Sequence, residues 1–357
     1  MSSVEILDSM SLRSKQLLVP IGVTVELTTR CNERCIHCYI ADHNRPELTF
    51  DEICSLLDDL KRSGTFYLTL TGGEVLVRDD FVLILREARR LRLSVTVFTN
   101  ATLMTSAIAN EMRALGVHSV GVSVYSTDSH IHDSITTVKG SWEKTMRGID
   151  CLQDAGIPLV IKCPVMNANY RTFRKVAVFS KEIGAELQMS PTITVMDDGN
   201  SCLASHRIAA AKLDSVIREE GILEKGAEPI AFANACDTVP CTAVFNGGAI
   251  DSRGNVYPCN QYLLSLGNIR EKAFRDIWAN SNLLYDLRSQ RVSDLDECSK
   301  CELFAFCTRC PGSAYLEDGS ITACSKVAKE LAQSRKRCGV YPAVSSVFVP
   351  RGSKEVT

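Results

Sequence analysis

Residues 21–38 read Ile21-Gly-Val-Thr-Val-Glu-Leu-Thr-Thr-Arg30-Cys31-Asn-Glu-Arg-Cys35-Ile-His-Cys38. The first half, Ile21 to Thr29, is β-branched and alternating, which predicts a strand. The second half places three thiols on the loop that leaves it. Outward from this stretch a βα rhythm repeats. Thr49 and Glu52 have the spacing of a capping box, Ile53, Leu56, Leu57 and Leu60 form an apolar stripe, and Gly64 stops the helix. Strands follow at Phe66–Leu70, Ser94–Phe98, His118–Tyr125, Pro158–Lys162 and Glu186–Met189. Helices lie between them at Asp79–Arg92, Ser106–Leu115, Trp142–Ala155 and Tyr170–Ile183, the last three ended by Gly116, Gly156 and Gly184. Six strands with intervening helices imply a parallel sheet with right-handed crossovers. They are two units short of a closed eight-fold barrel. The expected fold class is α/β, a partial six-stranded (β/α)6 open TIM-like barrel followed by a small loop-rich domain. Working groups in such sheets sit at the carboxyl ends of the strands.

The organisation expected along the chain is an N-terminal extension at 1–20, the partial barrel at 21–195 and a bridging segment at 196–230 with one amphipathic helix over Ser205–Glu220. A cysteine-dense domain at 231–340 and a tail at 341–357 complete it. Asp197 and Asp198 are read as capping or turning the chain after the sixth strand. The chain has 357 residues, 45% hydrophobic and 23% charged, which excludes wholesale disorder. With 40 Lys+Arg against 42 Asp+Glu there is no bulk basic field, which argues against a nucleic-acid binder or an anionic-membrane binder. Residues 1–13 contain no apolar core of a secretory signal. No run of about 18 apolar residues occurs, so no membrane span is expected. The expected location is therefore cytoplasmic, where stable disulfides are disfavoured.

Against that background the 16 cysteines need an explanation. Eleven fall in two groups. Cys31, Cys35 and Cys38 follow the first strand. Cys236, Cys241, Cys259, Cys298, Cys301, Cys307, Cys310 and Cys324 lie in the last third. Three thiols in eight residues can wrap a small cluster. Four thiolates are normal for a four-iron cluster, and three leave one iron open. Zinc completed by His37 or His43 remains an alternative for the first group, and a ribbon-like zinc site for the second. Of the other five, Cys54 and Cys151 are expected in the core, Cys163 lies near the strand ends, and Cys202 and Cys338 carry no assignment.

After the second strand comes Thr71-Gly72-Gly73-Glu74, where two glycines let backbone approach a ligand closely and a carboxylate can pair with an ammonium. Cys-x3-Cys-x2-Cys after strand one and Gly-Gly-Glu after strand two together resemble the radical S-adenosylmethionine superfamily, over about Val19 to Met196. The resemblance implies that Cys31, Cys35 and Cys38 hold a [4Fe–4S] cluster whose open iron binds S-adenosylmethionine. It implies that Gly72, Gly73 and Glu74 contact the methionine amine, and that His37 sits beside the adenine. Ser123, Asn100 and Lys162 would meet the ribose or the carboxylate. The second group resembles a SPASM extension with two auxiliary [4Fe–4S] clusters. By that likeness Cys298, Cys301, Cys307 and Cys324 hold the outer one, and Cys241, Cys259 and Cys310 the inner one with Cys236 as fourth ligand. The family spacing ends Cys-x3-Cys, whereas here Cys307 and Cys310 are separated by two residues.

The implied chemistry is reductive cleavage of S-adenosylmethionine to a 5′-deoxyadenosyl radical, which abstracts hydrogen from an unactivated carbon. The implied substrate is a ribosomally made peptide or protein, brought by a separate leader-binding protein. A flavodoxin- or ferredoxin-like protein would supply the low-potential electron. The alternative is a haem or tetrapyrrole-modifying enzyme that decarboxylates side chains, because segments such as Val122–Tyr125, His132-Asp133 and Gly140-Ser141-Trp142 resemble both branches. A zinc-stapled interaction module without redox chemistry is the reading from a different class.

Overall fold

The computed structural model describes residues 3–223 and 235–342. The end of the expected bridge and nearly all of the expected tail lie outside the described residues. Six parallel strands run β1 (Gly22–Thr28), β2 (Tyr67–Gly72), β3 (Ser94–Thr99), β4 (Ser119–Ser123), β5 (Leu159–Pro164) and β6 (Glu186–Ser190). The first β1 face is apolar because Val23, Val25 and Leu27 alternate inward against the helices, each at most 2% exposed. Residues Thr24, Glu26 and Thr28 then point to the opposite, concave side. That single alternation puts a carboxylate inside the barrel.

The helix after β1 is Phe50–Arg62, and Thr49 and Glu52 close a capping box at its start. Its stripe of Ile53, Leu56, Leu57 and Leu60 is buried, together with Ile84 and Leu85 from the helix Phe81–Arg90 and Val95, Val97, Val120 and Ile161 from the strands. The expected stops hold. Gly64, Gly116, Gly156 and Gly184 all have positive φ, the left-handed conformation that ends a helix without a Cβ clash.

Two features depart from the sequence reading. The helix Ser129–Thr136 was not expected after β4, and Asp128 caps it by accepting from His130 N and Ile131 N. The sheet is also longer than six strands. Its order is β6-β5-β4-β3-β2-β1-β7-β8-β9, where β7 (Ala249–Ile250), β8 (Asn255–Tyr257) and β9 (Gly267–Asn268) come from the cysteine-dense region. β7 pairs parallel with β1, and β8 and β9 add antiparallel. The sheet does not close on itself. The cysteine-dense region is thereby fixed beside the loop that follows β1.

Other joins reinforce this. The N-terminal stretch forms the helix Ser3–Leu17. Asn246 Nδ2 donates to Ser14 Oγ and Trp278 Nε1 to the Leu18 carbonyl, at 3.1 and 2.7 Å. In the bridge, the helix Ala210–Leu223 packs Leu213, Val216 and Ile217 against Val327 and Leu331 of the helix Lys326–Cys338. Among the described residues no helix is long and apolar enough to cross a membrane.

Candidate active site

The loop 31–38 leaves β1 under tight control. Arg78 donates from Nη1 to the carbonyls of Leu27 and Leu48, at 3.0 and 3.1 Å, and forks onto Asp80. Glu47 accepts from Thr28, Arg30 and Arg78. On the far side, Arg34 N donates to the Thr136 carbonyl and Ile36 N to that of Ile135, so the end of the unexpected helix holds the loop's middle.

Gly72 and Gly73 press on the same loop from β2. Gly73 N donates to the Thr28 carbonyl at 2.8 Å and Glu74 N to that of Arg30 at 2.9 Å. A Cβ at Gly72, whose φ is +146°, would lie 2.2 Å from the Thr28 carbonyl oxygen, and one at Gly73 would lie 2.3 Å from that of Arg30. The glycines are therefore required by backbone approach alone.

These elements enclose a cavity of about 280 Å³ lined by all three thiols, His37, Gly72, Gly73, Asn100, Ser123 and Lys162. Of the cofactor contacts expected from sequence, only Glu74 is missing from the wall. Its side chain is fully buried, and its carboxylate accepts from Thr99 Oγ1, Asn100 N and Leu76 N at 2.7, 2.7 and 3.0 Å. Glu74 thus ties the end of β2 to the end of β3, where the expectation had it facing a ligand amine. Ser123 and Lys162 are neighbours in register on β4 and β5. Lys162 Nζ stands 3.4 Å from the centre of the Phe98 ring, and burial pulls its ammonium down to about 8.

The thiols lie in a dry, anionic setting. Burial pushes Cys31 up to about 11, with Glu74 and Glu33 adding to the effect. Cys35 and Cys38 are raised for the same leading reason. Such thiols become thiolates readily only beside a cation such as iron. Cys35 Sγ lies 3.6 Å from Tyr125 Oη, and the Tyr125 ring meets the edge of His37 at 4.8 Å. His37 Nδ1 is buried without a partner, and burial lowers the imidazole to about 4. A neutral ring on the cavity wall with an unsatisfied nitrogen suits an aromatic ligand with hydrogen-bonding edges.

The cysteine-dense region forms two sets. Cys298, Cys301, Cys307 and Cys324 line one cavity of about 250 Å³. Cys241, Cys259 and Cys310 form the other. Burial raises Cys241 to about 12, with Cys310 and Cys259 adding to it, and Cys310 Sγ lies 4.0 Å from Gln261 Oε1. Cys236 is placed by its carbonyl, which accepts from Ser293 N at 2.9 Å. Among the described residues no group of three His, Cys, Asp or Glu is arranged to hold a single metal ion. Thiols spaced around a cavity suit a multi-atom cluster, whose ligands attach at its corners. Of the remaining cysteines, Cys163 is buried beside Asn169 and the Tyr125 carbonyl, Cys202 is exposed, and Cys338 meets the Asp214 carbonyl.

The comparisons agree with this geometry. Residues 25–179 match the Radical SAM superfamily, and residues 241–302 match SPASM, an iron-sulfur cluster-binding domain. The chain carries a radical SAM domain. With it the chain binds a [4Fe–4S] cluster and S-adenosylmethionine, and it also carries an iron–sulfur SPASM domain. It is similar to the AdoMet-dependent heme synthase of Methanosarcina barkeri, at 28% identity over 84% of this chain and 93% of that protein. It is also similar to the antilisterial bacteriocin subtilosin biosynthesis protein AlbA of Bacillus subtilis, at 27% identity over 83% of this chain and 68% of that protein. Streptococcus suis SuiB bound to S-adenosylmethionine shares the fold, with a TM-score of 0.69 at 16% identity, covering 87% of this chain and 77% of that one.

Sequence reading missed Glu26 and Tyr39 in this radical SAM domain. Tyr39 Oη donates to Glu26 Oε1 at 2.5 Å, and Tyr39 lines both the main cavity and a smaller one of about 90 Å³ walled by Asn260 and Gln261. The alternation of β1 was the signal for Glu26. Asp198 accepts from Asn200 N, as a turn residue does, whereas Asp197 is held by Arg45 at 2.5 and 2.7 Å and accepts from Ala41 N, which ties it to the loop after β1 and not to its own turn.

Burial pushes the Glu26 carboxyl up to about 7, the Tyr39 hydrogen bond opposing and Asp251 and Asp197 adding. An acid raised in the folded state destabilises that state as pH climbs from its ordinary 4.5 through about 7. The full shift corresponds to about 3 kcal/mol. Glu26→Gln is therefore expected to stabilise the apo-protein above pH 7 by up to that amount and to change little at pH 5. Urea denaturation at the two pH values checks it, and equal effects at both would contradict the assignment.

Proposed function

We propose that this radical SAM enzyme oxidatively modifies a ribosomally synthesised peptide or protein. In this reading Cys31, Cys35 and Cys38 hold the cluster that binds S-adenosylmethionine. Cys298, Cys301, Cys307 and Cys324 hold an outer auxiliary [4Fe–4S] cluster. Cys241, Cys259 and Cys310, with Cys236 as fourth ligand, hold an inner one. When bound, the first cluster and its S-adenosylmethionine supply a carbon radical able to abstract hydrogen from an unactivated C–H bond.

The chain's own residues bind, orient and exclude water. Backbone at Gly72 and Gly73 approaches the amino-acid end of the cofactor, and Lys162 meets its carboxylate with Ser123 and Asn100 beside it. His37 and Tyr125 form an aromatic wall that keeps water from the adenine end. Tyr39 and Glu26 hold a proton between the main cavity and the small one toward Asn260 and Gln261.

The charge of the main cavity supports a peptide substrate. Its charged lining is one carboxylate, Glu33, and one ammonium, Lys162, besides the thiols. This suits a zwitterionic cofactor with a near-neutral substrate better than a polyanion. The similarity to the subtilosin biosynthesis protein points the same way. A separate leader-binding protein and a low-potential electron donor complete the reading. The second reading, tetrapyrrole side-chain decarboxylation, is favoured by the similarity to the AdoMet-dependent heme synthase.

One experiment separates the two. The anaerobically reconstituted enzyme is reduced with dithionite and given S-adenosylmethionine with iron-coproporphyrin III. In parallel, it is co-expressed with short peptides encoded beside its gene. The peptide reading expects hydrogen loss in a peptide by mass spectrometry and an unchanged porphyrin. Conversion of the porphyrin with loss of carboxyl groups would overturn it.

A further inference from the structure

The two-residue gap between Cys307 and Cys310 places Arg309 between a thiol of the outer set and one of the inner set. Its guanidinium is held from behind. Nε and Nη2 donate to the Ala323 carbonyl at 3.1 and 2.8 Å, and Nη2 also reaches the Ile321 carbonyl. The third nitrogen, Nη1, is buried and has no partner. Arg309 lines the cavity together with Cys298, Cys301, Cys307 and Cys324. An unsatisfied buried N–H of a charged fork is costly unless an acceptor completes it. Glu297 and Ser325 also line this cavity, but neither bonds Nη1, which leaves the sulfurs of the four-cysteine set as its acceptors. Apolar Val292, Leu295 and Phe304 stand on the same wall.

We propose that Arg309 is the redox-tuning residue of the SPASM region, donating from Nη1 to a sulfur of the outer auxiliary cluster and holding a fixed positive charge between the two auxiliary sites. The proposal rests on the reading that these thiols hold clusters. Its chemistry is electrostatic. Reduction adds one electron and one negative charge to a cluster. A desolvated cation and an N–H···S hydrogen bond both favour the reduced form and raise its potential. Arginine does not deprotonate in proteins, so the effect persists across the working pH range. Its place in the chain ties it to both sites, because it lies two residues after Cys307 and directly before Cys310. A cation shared by both sites would draw an electron removed from substrate toward the SPASM region and stabilise it there.

The test is an EPR-monitored potentiometric titration of reconstituted Arg309→Gln and wild-type enzyme, with iron and labile sulfide measured on each sample. The expected result is a full complement of iron and sulfide in the variant, with the outer-cluster midpoint moved to more negative potential and the inner one moved less. Unchanged midpoints in a fully loaded variant would overturn the proposal. If Arg309→Gln fails to load, wild-type protein labelled with heavy-nitrogen arginine carries the test. Pulsed EPR of the reduced auxiliary clusters should then show coupling to a guanidinium nitrogen, and absence of that coupling overturns the proposal. Wild-type protein lacking labile sulfide would sink the cluster reading itself, and this proposal with it.

Discussion

Cys35→Ala is expected to reduce 5′-deoxyadenosine release to the level of the dithionite control and to remove the iron of the first site. Cys35 is the middle thiol of the three-cysteine set proposed to hold the cluster, and its sulfur lies against Tyr125 and Glu33 at 3.6 Å. A four-iron cluster with three protein thiolates already leaves one iron for the cofactor. With two thiolates, a second corner opens to solvent in a loop that supplies no replacement, since the nearest other side chains are a phenol and a buried carboxyl. Chromatography of the product and iron assay check the outcome. Cys163→Ala is the control, because Cys163 is more deeply buried than Cys35 but lies outside the three thiol sets. It should retain release. Persistent release from Cys35→Ala would remove the assignment of the radical site.

The second large effect is on stability. Arg78→Leu is expected to lower the unfolding free energy by roughly 3 kcal/mol, toward the lower end of the range for breaking a buried ion pair. The side chain is 6% exposed and joins the Leu27 and Leu48 carbonyls with Glu47 and Asp80. Removing it strands two carbonyls. Glu47 keeps Arg30 as a partner, and Asp80, at 27% exposure, can hydrate, which is why the loss stays near the lower end. Urea midpoints of the apo-protein measure it. A loss under 1 kcal/mol would mean that the cluster of charges around Glu47 is held by Arg30 alone. Because Arg78 anchors the carboxyl end of β1, weaker iron loading at Cys31, Cys35 and Cys38 is expected along with the lower midpoint.

Much of the architecture was legible from local pattern. The capping box at Thr49 and Glu52, the stripe Ile53 to Leu60 and the four stop glycines are all short-range signals, and each sits where the sequence put it. The strands β7 to β9 were not legible, because segments of two or three residues carry no period and pair only once β1 offers an edge. The helix Ser129–Thr136 was missed in a polar stretch whose start is marked by the Asp128 cap alone.

The site divides in the same way. Sequence by itself determined the three-thiol loop, the paired glycines and the spacing of the second cysteine group, because cluster binding and close backbone approach demand particular residue types at fixed separations. It could not tell that Glu74 would be buried and occupied by Thr99, Asn100 and Leu76, since the same carboxylate suits a ligand or a helix cap. Nor could it place Glu26 against Tyr39, gather Cys298 to Cys324 around one cavity, or leave Arg309 Nη1 buried without a partner. Those facts depend on which distant segments the open sheet brings together. Burial then decides their chemistry, because a charge or an unpaired N–H acquires its cost, and its function, only when water is taken away.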